Sequence, residues 1–423
     1  MEIKLLYRIN ALRHSNLIRS SAIYTIINFV NKAFPFFLLP LFTRAFTLNE
    51  YGTFSIYRAT MNICIPLVGL SLSEAVIRSY YEKERIEFGT YIFSILFVNI
   101  GTIGLLEVFV LLSGNALFSI IGLSREMLCL ALLISFFTSI ITIERGLYRC
   151  ERNNVLFSIV VVGQSLIYFV IIFVLYWQHR LYIRAAVYAE VFVYLLFAII
   201  GGWQLVKKYS ISFEVKRQYI RDAFVYSFPL VLNSLLAYAF ALSDRYIINY
   251  QLGEESVAIY SASFQIVSIL QILGVSFNAA WLPWVFESLK NKIDSGKLLK
   301  IGLGVAFLFL LFGIVFWSVV NRFLPFFAGE KYKAGISLLG WFVGANIFQA
   351  LYCLVAPILQ YYKRNWYLLL ASVPAFLFSV VLNVSFLKKY GLEFAAKMNC
   401  FSWLIIFAIS FFYSLNRIRY VNK

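Results

Sequence analysis

The chain has 423 residues, of which 61% are apolar and only 13% are charged, and its mean hydropathy is +0.81. This balance excludes an ordinary soluble domain and indicates a polytopic, all-α membrane protein. At roughly 20 residues per crossing, the apolar segments predict about twelve transmembrane helices, near residues 20–43, 53–76, 91–113, 127–148, 154–176, 181–205, 223–248, 256–286, 298–320, 336–360, 366–387 and 394–415.

The formal net charge of +17 and the pI near 9.6 raise the question of a nucleic-acid partner. In a membrane protein, however, basic residues concentrate in the cytoplasmic loops. With the N-terminus inside, the cytoplasmic segments contain 24 of the 37 basic residues and the opposite loops contain 11. We therefore predict that both termini are cytoplasmic, that the charge is mainly a topology signal, and that the chain binds no nucleic acid.

Sequence motifs for cofactors and metals are missing. Gly296-Lys297 is followed by Leu298, so it does not form the phosphate-binding loop of an ATPase. Two histidines and five dispersed cysteines favour neither a zinc site nor a disulfide framework. We therefore expect no cofactor, no metal and no catalytic residue.

The first span has one polar face. Asn28, Asn31, Lys32 and Pro35 follow one another at i, i+3, i+4 and i+7, which places them on one side of a helix. A lysine near the middle of a span costs about 3 kcal/mol on insertion scales. We therefore expect Lys32, with Asn28 and Asn31, to face a protein-lined cavity and bind substrate. A buried structural ion pair is the alternative for Lys32.

The rest of the first hairpin is also unusual. Pro35 and Pro40 remove backbone donors and predict a helix that loosens beyond the lysine. The segment 47–52 is expected to reverse the chain. The second span then contains Arg58 and Asn62 one turn apart, and both are candidates for substrate binding. Because Arg58 lies only a few residues inside the predicted span, snorkelling to the outer surface is its alternative.

Several charged residues in the first half are candidates for ion coupling or gating. Glu74 and Arg78 lie one turn apart at the inner end of the second span, either as a structural ion pair or as a gate between the two halves. Glu190 lies about nine residues into the sixth predicted span, deep enough to carry a proton. Glu144 and Arg145 lie closer to a span end, where solvation is expected.

The chain divides into two halves around residues 206–222, the longest polar interval. We predict a cytoplasmic linker there, between six-helix bundles formed by residues 1–205 and 223–423. The segment 50–55 after the first span resembles the segment 256–261 after the seventh, at an offset of 206 residues. Parallel repeats of this kind commonly enclose a central cavity.

The seventh span contains further polar residues. Asn233 and Arg245 are candidates for substrate binding. Asp244 is a candidate for ion coupling, and a local salt bridge is its alternative. The triplet that begins at Asn383 matches a glycosylation acceptor, but it lies inside a predicted span and is set aside.

Several short motifs resemble one family of transporters. They are the polar run 28–41, the segment 43–52, the triplet 244–246 and the segment 258–261. With the length and the span count, they make the chain similar to the polysaccharide-biosynthesis transporters, in particular the Wzx-type O-antigen flippases. The resemblance implies the multidrug/oligosaccharidyl-lipid/polysaccharide exporter fold, with two six-helix bundles around a cationic cavity.

The resemblance also implies a substrate, an undecaprenyl-pyrophosphate-linked oligosaccharide such as an O-antigen repeat unit. It would cross from the cytoplasmic to the periplasmic leaflet of a bacterial inner membrane by ion-coupled alternating access. Membrane lipids, a polysaccharide polymerase and a chain-length regulator are the candidate partners. The residues agree with this, because an anionic, hydrophilic headgroup needs positive charge and hydrogen-bond partners in a shielded path. Lys32, Arg58 and Arg245 supply the charge.

Two other function classes are open. A drug/cation antiporter of the same superfamily is expected to have an anionic cavity, whereas the mid-membrane charge here is Lys32. A membrane-embedded glycosyltransferase or polymerase needs carboxylates and large outer loops, and the predicted outer loops are short.

Overall fold

The computed structural model describes residues 16–291, 295–364 and 366–421. These ranges form helices without a strand, so the all-α prediction is confirmed. The α-helices are α1 (Asn16–Ala45), α2 (Leu48–Gly69), α3 (Leu72–Ser79), α4 (Phe88–Leu112), α5 (Asn115–Ile121), α6 (Arg125–Cys150), α7 (Asn154–Trp177), α8 (Ile183–Tyr209), α9 (Arg217–Leu252), α10 (Glu254–Lys290), α11 (Ser295–Ala328), α12 (Ile336–Tyr361), α13 (Trp366–Tyr390) and α14 (Leu392–Val421).

Within the described ranges, ten helices are long and apolar enough to cross a membrane, or eleven if α2 and the bent segment after it form one span. That bend measures 52°. It occurs at Leu70 and Ser71, whose φ angles of 46° and 49° lie in the left-handed region and interrupt the helical ladder. The second span is therefore not the single helix predicted over 53–76. The count of twelve spans stays a prediction.

The first hairpin differs from its prediction at the prolines. Helix α1 continues through both Pro35 and Pro40 to Ala45, so the expected loosening is wrong. Transmembrane helices tolerate proline where other groups satisfy the freed backbone atoms. The prolines leave the carbonyls of Asn31 and Phe36, four residues earlier, without their helical donors. The Pro35 carbonyl itself accepts a hydrogen bond from Gln265 Nε2 over 2.6 Å.

The chain reversal after α1 is shorter than predicted. Only Phe46 and Thr47 lie between α1 and α2, because Thr47 and Glu50 form a reciprocal capping box. The Thr47 N–H donates to Glu50 Oε2 over 2.9 Å, and the Glu50 N–H donates to Thr47 Oγ1 over 3.2 Å. These bonds start the helix at Leu48, so the predicted turn is wrong for residues 48–52.

The contacts divide the chain into two compact units. The first unit is Met1–Phe34 with Ile56–Leu242, and the second is Pro35–Ser55 with Ser243–Lys423. The tip of the first hairpin thus belongs to the second unit. The predicted bundle limits at residues 205 and 223 stay predictions.

In the first unit, the loop between α8 and α9 is held against α4. Only residues 210–216 of the predicted linker lie between the two helices. Lys216 Nζ contacts Glu87 Oε1 at 2.6 Å, and the Lys216 N–H donates to Ser94 Oγ over 3.1 Å. A Cβ at Gly89 would lie 2.5 Å from the Tyr209 carbonyl oxygen, so the close approach requires glycine there.

In the second unit, the hairpin tip packs on the start of α10. A Cβ at Gly52 would lie 2.0 Å from the Glu254 carbonyl oxygen, so the two backbones touch. The rings of Tyr51 and Tyr332 meet edge to face at 5.8 Å. Helices α2 and α10 begin at Leu48 and Glu254, the same 206 residues apart as the repeated motif. The sequence repeat therefore has a structural counterpart.

Candidate functional site

The most prominent charged feature of the first unit is an ion pair between Arg58 and Glu190. Helix α2 places Arg58 near its middle, and α8 places Glu190 two turns after its start. Arg58 Nη1 contacts Glu190 Oε1 directly. The side chain of Glu190 is 2% exposed and that of Arg58 is 34% exposed. This pairing disfavours the snorkelling alternative for Arg58, because the guanidinium points to a buried acid within its own unit.

Tyrosines surround this pair. Tyr57, Tyr168 and Tyr194 all lie within electrostatic range of Glu190. Tyr57 is completely buried. The second carboxylate oxygen of Glu190, Oε2, has no hydrogen-bond partner among the residues that the structure describes. One oxygen of Glu190 therefore holds Arg58, and the other is available for a proton.

The asparagines predicted for substrate binding have different surroundings. Asn31 accepts a hydrogen bond from the Ser165 hydroxyl on α7. Asn62 donates from Nδ2 to the Arg58 carbonyl oxygen over 2.8 Å, so its amide bonds to the backbone of its own helix one turn earlier. Asn233 is exposed on α9.

The predicted centre of the polar face, Lys32, cannot be placed against these groups. The side chains of Lys32 and Asn28 lie outside the described part of the structure, although their backbone belongs to α1. Their roles therefore stay predictions.

Glu74 and Arg78 lie on α3, after the bend. Arg78 Nη2 is 3.8 Å from Glu82 Oε1, so its acidic partner among the described side chains is Glu82, one turn further along, and not Glu74. Glu74 is exposed in the first turn of α3, where the helix dipole favours an acid. The structural pair predicted between Glu74 and Arg78 is therefore wrong. The gating role stays a prediction.

The second unit contains a buried acid of another kind. Asp244 on α9 is 5% exposed. The Tyr260 hydroxyl donates to its Oδ2 over 2.8 Å, and Asn383 Nδ2 donates to its Oδ1 over 3.2 Å. The Asn399 side chain makes a third hydrogen bond to Asp244. We call these four residues, from α9, α10, α13 and α14, the Asp244 cluster.

Asn383 was set aside as a glycosylation pattern, and the structure makes it part of this cluster. It is completely buried. The side-chain oxygens Oδ1 of Asn383 and Asn399 are buried, and neither has a hydrogen-bond partner within the described ranges. The cluster thus combines a carboxylate with two amide oxygens. Arg245, the next residue after Asp244, lies over the ring of Phe264 at 5.5 Å.

Glu144 is a further buried acid, and its predicted solvation is wrong. Its side chain is 2% exposed on α6. The Tyr148 hydroxyl donates to its Oε1 over 2.9 Å. A Cβ at Gly201 would lie 2.4 Å from its Oε2, so the small residue on α8 admits the carboxylate. The sequence gives no signal for this contact, because it joins two helices far apart in the chain.

Comparisons with known proteins agree with this architecture. A family model described as polysaccharide biosynthesis protein matches residues 17–289. The chain belongs to this family. It is 22% identical to Lsg locus putative protein 1 of Haemophilus influenzae, over 82% of this chain and 85% of that protein. It is 21% identical to the probable low-salt glycan biosynthesis flippase Agl15 of Haloferax volcanii, over 92% of this chain and 82% of that protein.

The fold is similar to that of the lipid II flippase MurJ in its inward closed conformation. The TM-score is 0.73 at 12% identity, and the match covers 92% of this chain and 87% of MurJ. The expected exporter fold is therefore confirmed, whereas the two six-helix bundles and the cationic cavity stay predictions. The chain is therefore a multi-pass membrane protein of the polysaccharide biosynthesis family, and its fold is of the kind seen in the flippase MurJ.

Proposed function

We propose that this protein is a flippase for an undecaprenyl-pyrophosphate-linked oligosaccharide. It moves the headgroup from the cytoplasmic to the periplasmic leaflet of the bacterial inner membrane by ion-coupled alternating access. The names of two similar proteins support the class, since Agl15 is described as a probable glycan biosynthesis flippase and MurJ as a lipid II flippase. The residues of the first unit support the chemistry.

The observation that carries the proposal is the pair of Arg58 and Glu190. A guanidinium binds phosphate oxygens through two parallel N–H groups, which suits a diphosphate. Glu190 neutralises Arg58 while no substrate is bound. When Glu190 takes up a proton from water, its charge and its attraction to Arg58 are lost together. Two N–H groups of the Arg58 guanidinium can then donate hydrogen bonds to the diphosphate. The protonated acid stays buried at a lower cost than an unpaired carboxylate would.

The Asp244 cluster is the proposed site of the coupling ion. A carboxylate and amide oxygens are the ligands that a hard cation prefers. To present its oxygen beside Asp244, the Asn383 amide must turn over, because its Nδ2 donates to Asp244 in this structure. A proton on Asp244 is the simpler alternative. Full-length protein in liposomes distinguishes them. If the cluster binds a metal cation such as sodium, flipping of a fluorescent lipid-linked oligosaccharide should follow an imposed sodium gradient. If Asp244 carries a proton, flipping should follow an imposed pH gradient. Flipping that ignores both gradients contradicts ion coupling but leaves the flippase intact.

Lys32 is proposed as a second cation for the diphosphate. Lys32→Arg should retain partial flipping, because arginine keeps the charge and donates to phosphate oxygens. Lys32→Ala and Lys32→Gln should abolish flipping at normal membrane abundance. If Lys32 instead neutralises a buried acid such as Asp244 or Glu190, Lys32→Ala should lower abundance, and neutralising that acid as well should restore it. Full activity in Lys32→Ala contradicts both roles.

The function is tested in a cell that lacks this protein. Lipid-linked repeat units should accumulate on the cytoplasmic face, and the surface polysaccharide should disappear. Expression of the wild-type chain should restore the polymer. Normal polymer together with altered drug tolerance would support the drug/cation antiporter instead.

The orientation is tested with a reporter enzyme that is active only in the periplasm. Fusion after residue 250 should give activity, and fusion after residue 212 should not. The opposite result would reverse the side proposed for every site and for both termini.

A further inference from the structure

The first unit contains a cavity that lies outside the proposed diphosphate and ion sites, and its lining includes the predicted gating residue Arg78. Its volume is about 590 Å³, which lies within the usual range of roughly 300–1,000 Å³ for small-molecule sites. Its walls come from α3 with the short turn after it, from the first turn of α4, and from the first three turns of α9. By the predicted topology, this end of the unit faces the cytoplasm.

Three tyrosines line the cavity. Tyr91 is 5% exposed, and its ring lies 5.3 Å from that of Tyr219 at an angle of 56°. Tyr226 is 39% exposed, so part of its ring is accessible to a ligand. The guanidinium of Arg78 lies over the Tyr226 ring at 5.1 Å. The cavity thus offers aromatic faces with polar groups close beside them.

Four charged side chains also line the cavity, and their charges cancel. Arg78 and Arg221 are basic, whereas Glu82 and Asp222 are acidic. Arg78 is already 3.8 Å from Glu82. A diphosphate would gain no net attraction from such a set. A neutral molecule with many hydroxyl groups would find both donors and acceptors in it.

The cavity is held in shape by contacts behind its aromatic wall. The Glu87 N–H donates to the Tyr219 hydroxyl over 3.3 Å. Lys216, three residues earlier on the same segment, bonds to Glu87 and Ser94. These bonds fix the start of α9 against α4 before any ligand arrives, and a site formed in advance loses less entropy on binding.

We propose that this cavity binds sugar rings of the transported oligosaccharide. The apolar C–H face of a pyranose ring stacks on the exposed tyrosine face, and its hydroxyl groups bond to arginine and carboxylate side chains. The inference rests on the proposed function for the source of the sugar. It also goes beyond that function, because it separates recognition of the sugar, in the cavity, from recognition of the diphosphate, at Arg58.

Binding is tested on the full-length protein in lipid nanodiscs by saturation-transfer difference NMR. The probes are the methyl glycosides of glucose, galactose, N-acetylglucosamine and glucuronic acid. At least one should bind to the wild-type protein. Tyr226→Ala and Asp222→Asn should each weaken its binding about tenfold, a change equal to 1.4 kcal/mol. Tyr226→Phe should keep the binding, because the ring face remains.

Matched controls come from exposed residues outside the cavity. Tyr250→Ala removes a ring that is 79% exposed, and Glu84→Gln removes an exposed acid on the turn after α3. Neither should change glycoside binding. The proposal is overturned if no glycoside binds, or if Tyr226→Ala and Asp222→Asn bind as the wild type does. Inorganic pyrophosphate is the anion probe. The proposal is also overturned if the wild-type protein binds pyrophosphate but no glycoside, and if Arg78→Gln loses the pyrophosphate binding.

A cell-based test separates this proposal from the flippase itself. If deletion of the gene leaves the surface polymer unchanged, the proposed function fails, and NMR still decides whether the cavity binds sugar. If deletion removes the polymer and the double variant Tyr226→Ala/Asp222→Asn restores it fully, the flippase stands and the cavity proposal fails. Partial restoration by the double variant, with full restoration by Tyr250→Ala, is the expected result.

Discussion

Glu190 in the first unit and Asp244 in the second are both buried acids, and they are stabilised differently. Glu190 in the first unit contacts the guanidinium of Arg58. Asp244 in the second receives hydrogen bonds from the neutral groups of Tyr260 and Asn383. An anion that binds near Arg58 competes with Glu190 for the guanidinium, so the ion pair is sensitive to an anionic ligand. A carboxylate held by neutral donors has no cation partner within its cluster, so it can take up a cation or a proton. The two units therefore suit different ligands.

The largest expected effect comes from breaking the ion pair of the first unit. Arg58→Gln leaves Glu190 as an uncompensated buried charge, and loss of one partner of a buried pair costs about 3–5 kcal/mol. Glu190→Gln should cost less, because the side chain of Arg58 is 34% exposed and can reach water, whereas that of Glu190 is 2% exposed. Melting temperatures of the purified variants measure the difference.

The double variant Arg58→Gln/Glu190→Gln provides the control. It should recover most of the stability lost in Arg58→Gln, since no charge is left without a partner. Flipping should stay absent, because the proposed phosphate ligand is missing. If the double variant is less stable than Arg58→Gln, the pair is not the source of the effect.

In the second unit, the corresponding change should reduce coupling more than stability. Asp244→Asn keeps the size of the side chain and removes no partner cation from the cluster, so the melting temperature should change little. Tyr260→Phe removes a donor from a buried carboxylate and should cost about 1–3 kcal/mol. Proteoliposome flipping with and without an ion gradient checks the functional part. Gradient-dependent flipping that survives in Asp244→Asn would contradict the coupling role.

The sequence identified both acids and Arg58, but it did not pair them. Arg58 and Glu190 are 132 residues apart, so only the tertiary fold brings their side chains together. The bend at Leu70 and Ser71 was also out of reach, because neither residue type favours a left-handed backbone. Such strained positions are set by tertiary contacts, which no local pattern encodes.

The sequence does contain signals for two other features. Thr47 and Glu50 have the spacing of a capping box, which predicts a helix start where a turn was expected. Asn383 was interpreted through a glycosylation pattern, although a polar residue inside a span more often serves a buried polar site. The cavity was out of reach, because the residues of α3 and α9 that line it meet only in the fold.

Each unit contains one glycine that lies against the backbone of a neighbouring segment. A Cβ at Gly52 would lie 2.0 Å from the Glu254 carbonyl oxygen, and a Cβ at Gly89 would lie 2.5 Å from the Tyr209 carbonyl oxygen. In both cases the obstacle is backbone, which must shift. Gly52→Ala and Gly89→Ala should each cost about 1–3 kcal/mol, with the larger loss for Gly52→Ala. Melting temperatures give the order.

Gly101→Ala is the control for both, because nothing lies within 4 Å of a Cβ there. In the interior of α4 it should stabilise the helix, by up to about 1 kcal/mol. If all three alanine variants shift the melting temperature in the same direction and to the same extent, the backbone contacts do not explain the first two.

The smallest expected effect belongs to the surface pair that holds the loop 210–216 in the first unit. The hydrogen bond from Lys216, followed by that from Thr90, holds the pKa of Glu87 below its ordinary value. The hydrogen bond to Glu87 raises the pKa of Lys216 above its ordinary value. The Glu87 contribution is therefore complete above the ordinary glutamate pKa of about 4.3, and the Lys216 contribution is complete below the ordinary lysine pKa of about 10.4.

Glu87→Gln should accordingly lower the melting temperature slightly between these two pH values. The difference from wild type should disappear as the pH falls through the lowered pKa of Glu87, because the wild-type carboxyl then also loses its charge. Both side chains are partly or largely solvent-exposed, so added salt should reduce the difference as well. Glu84→Gln, on the same surface, is the control. A difference for Glu87→Gln that is independent of both pH and salt would mean that the charge of Glu87 does not hold the loop.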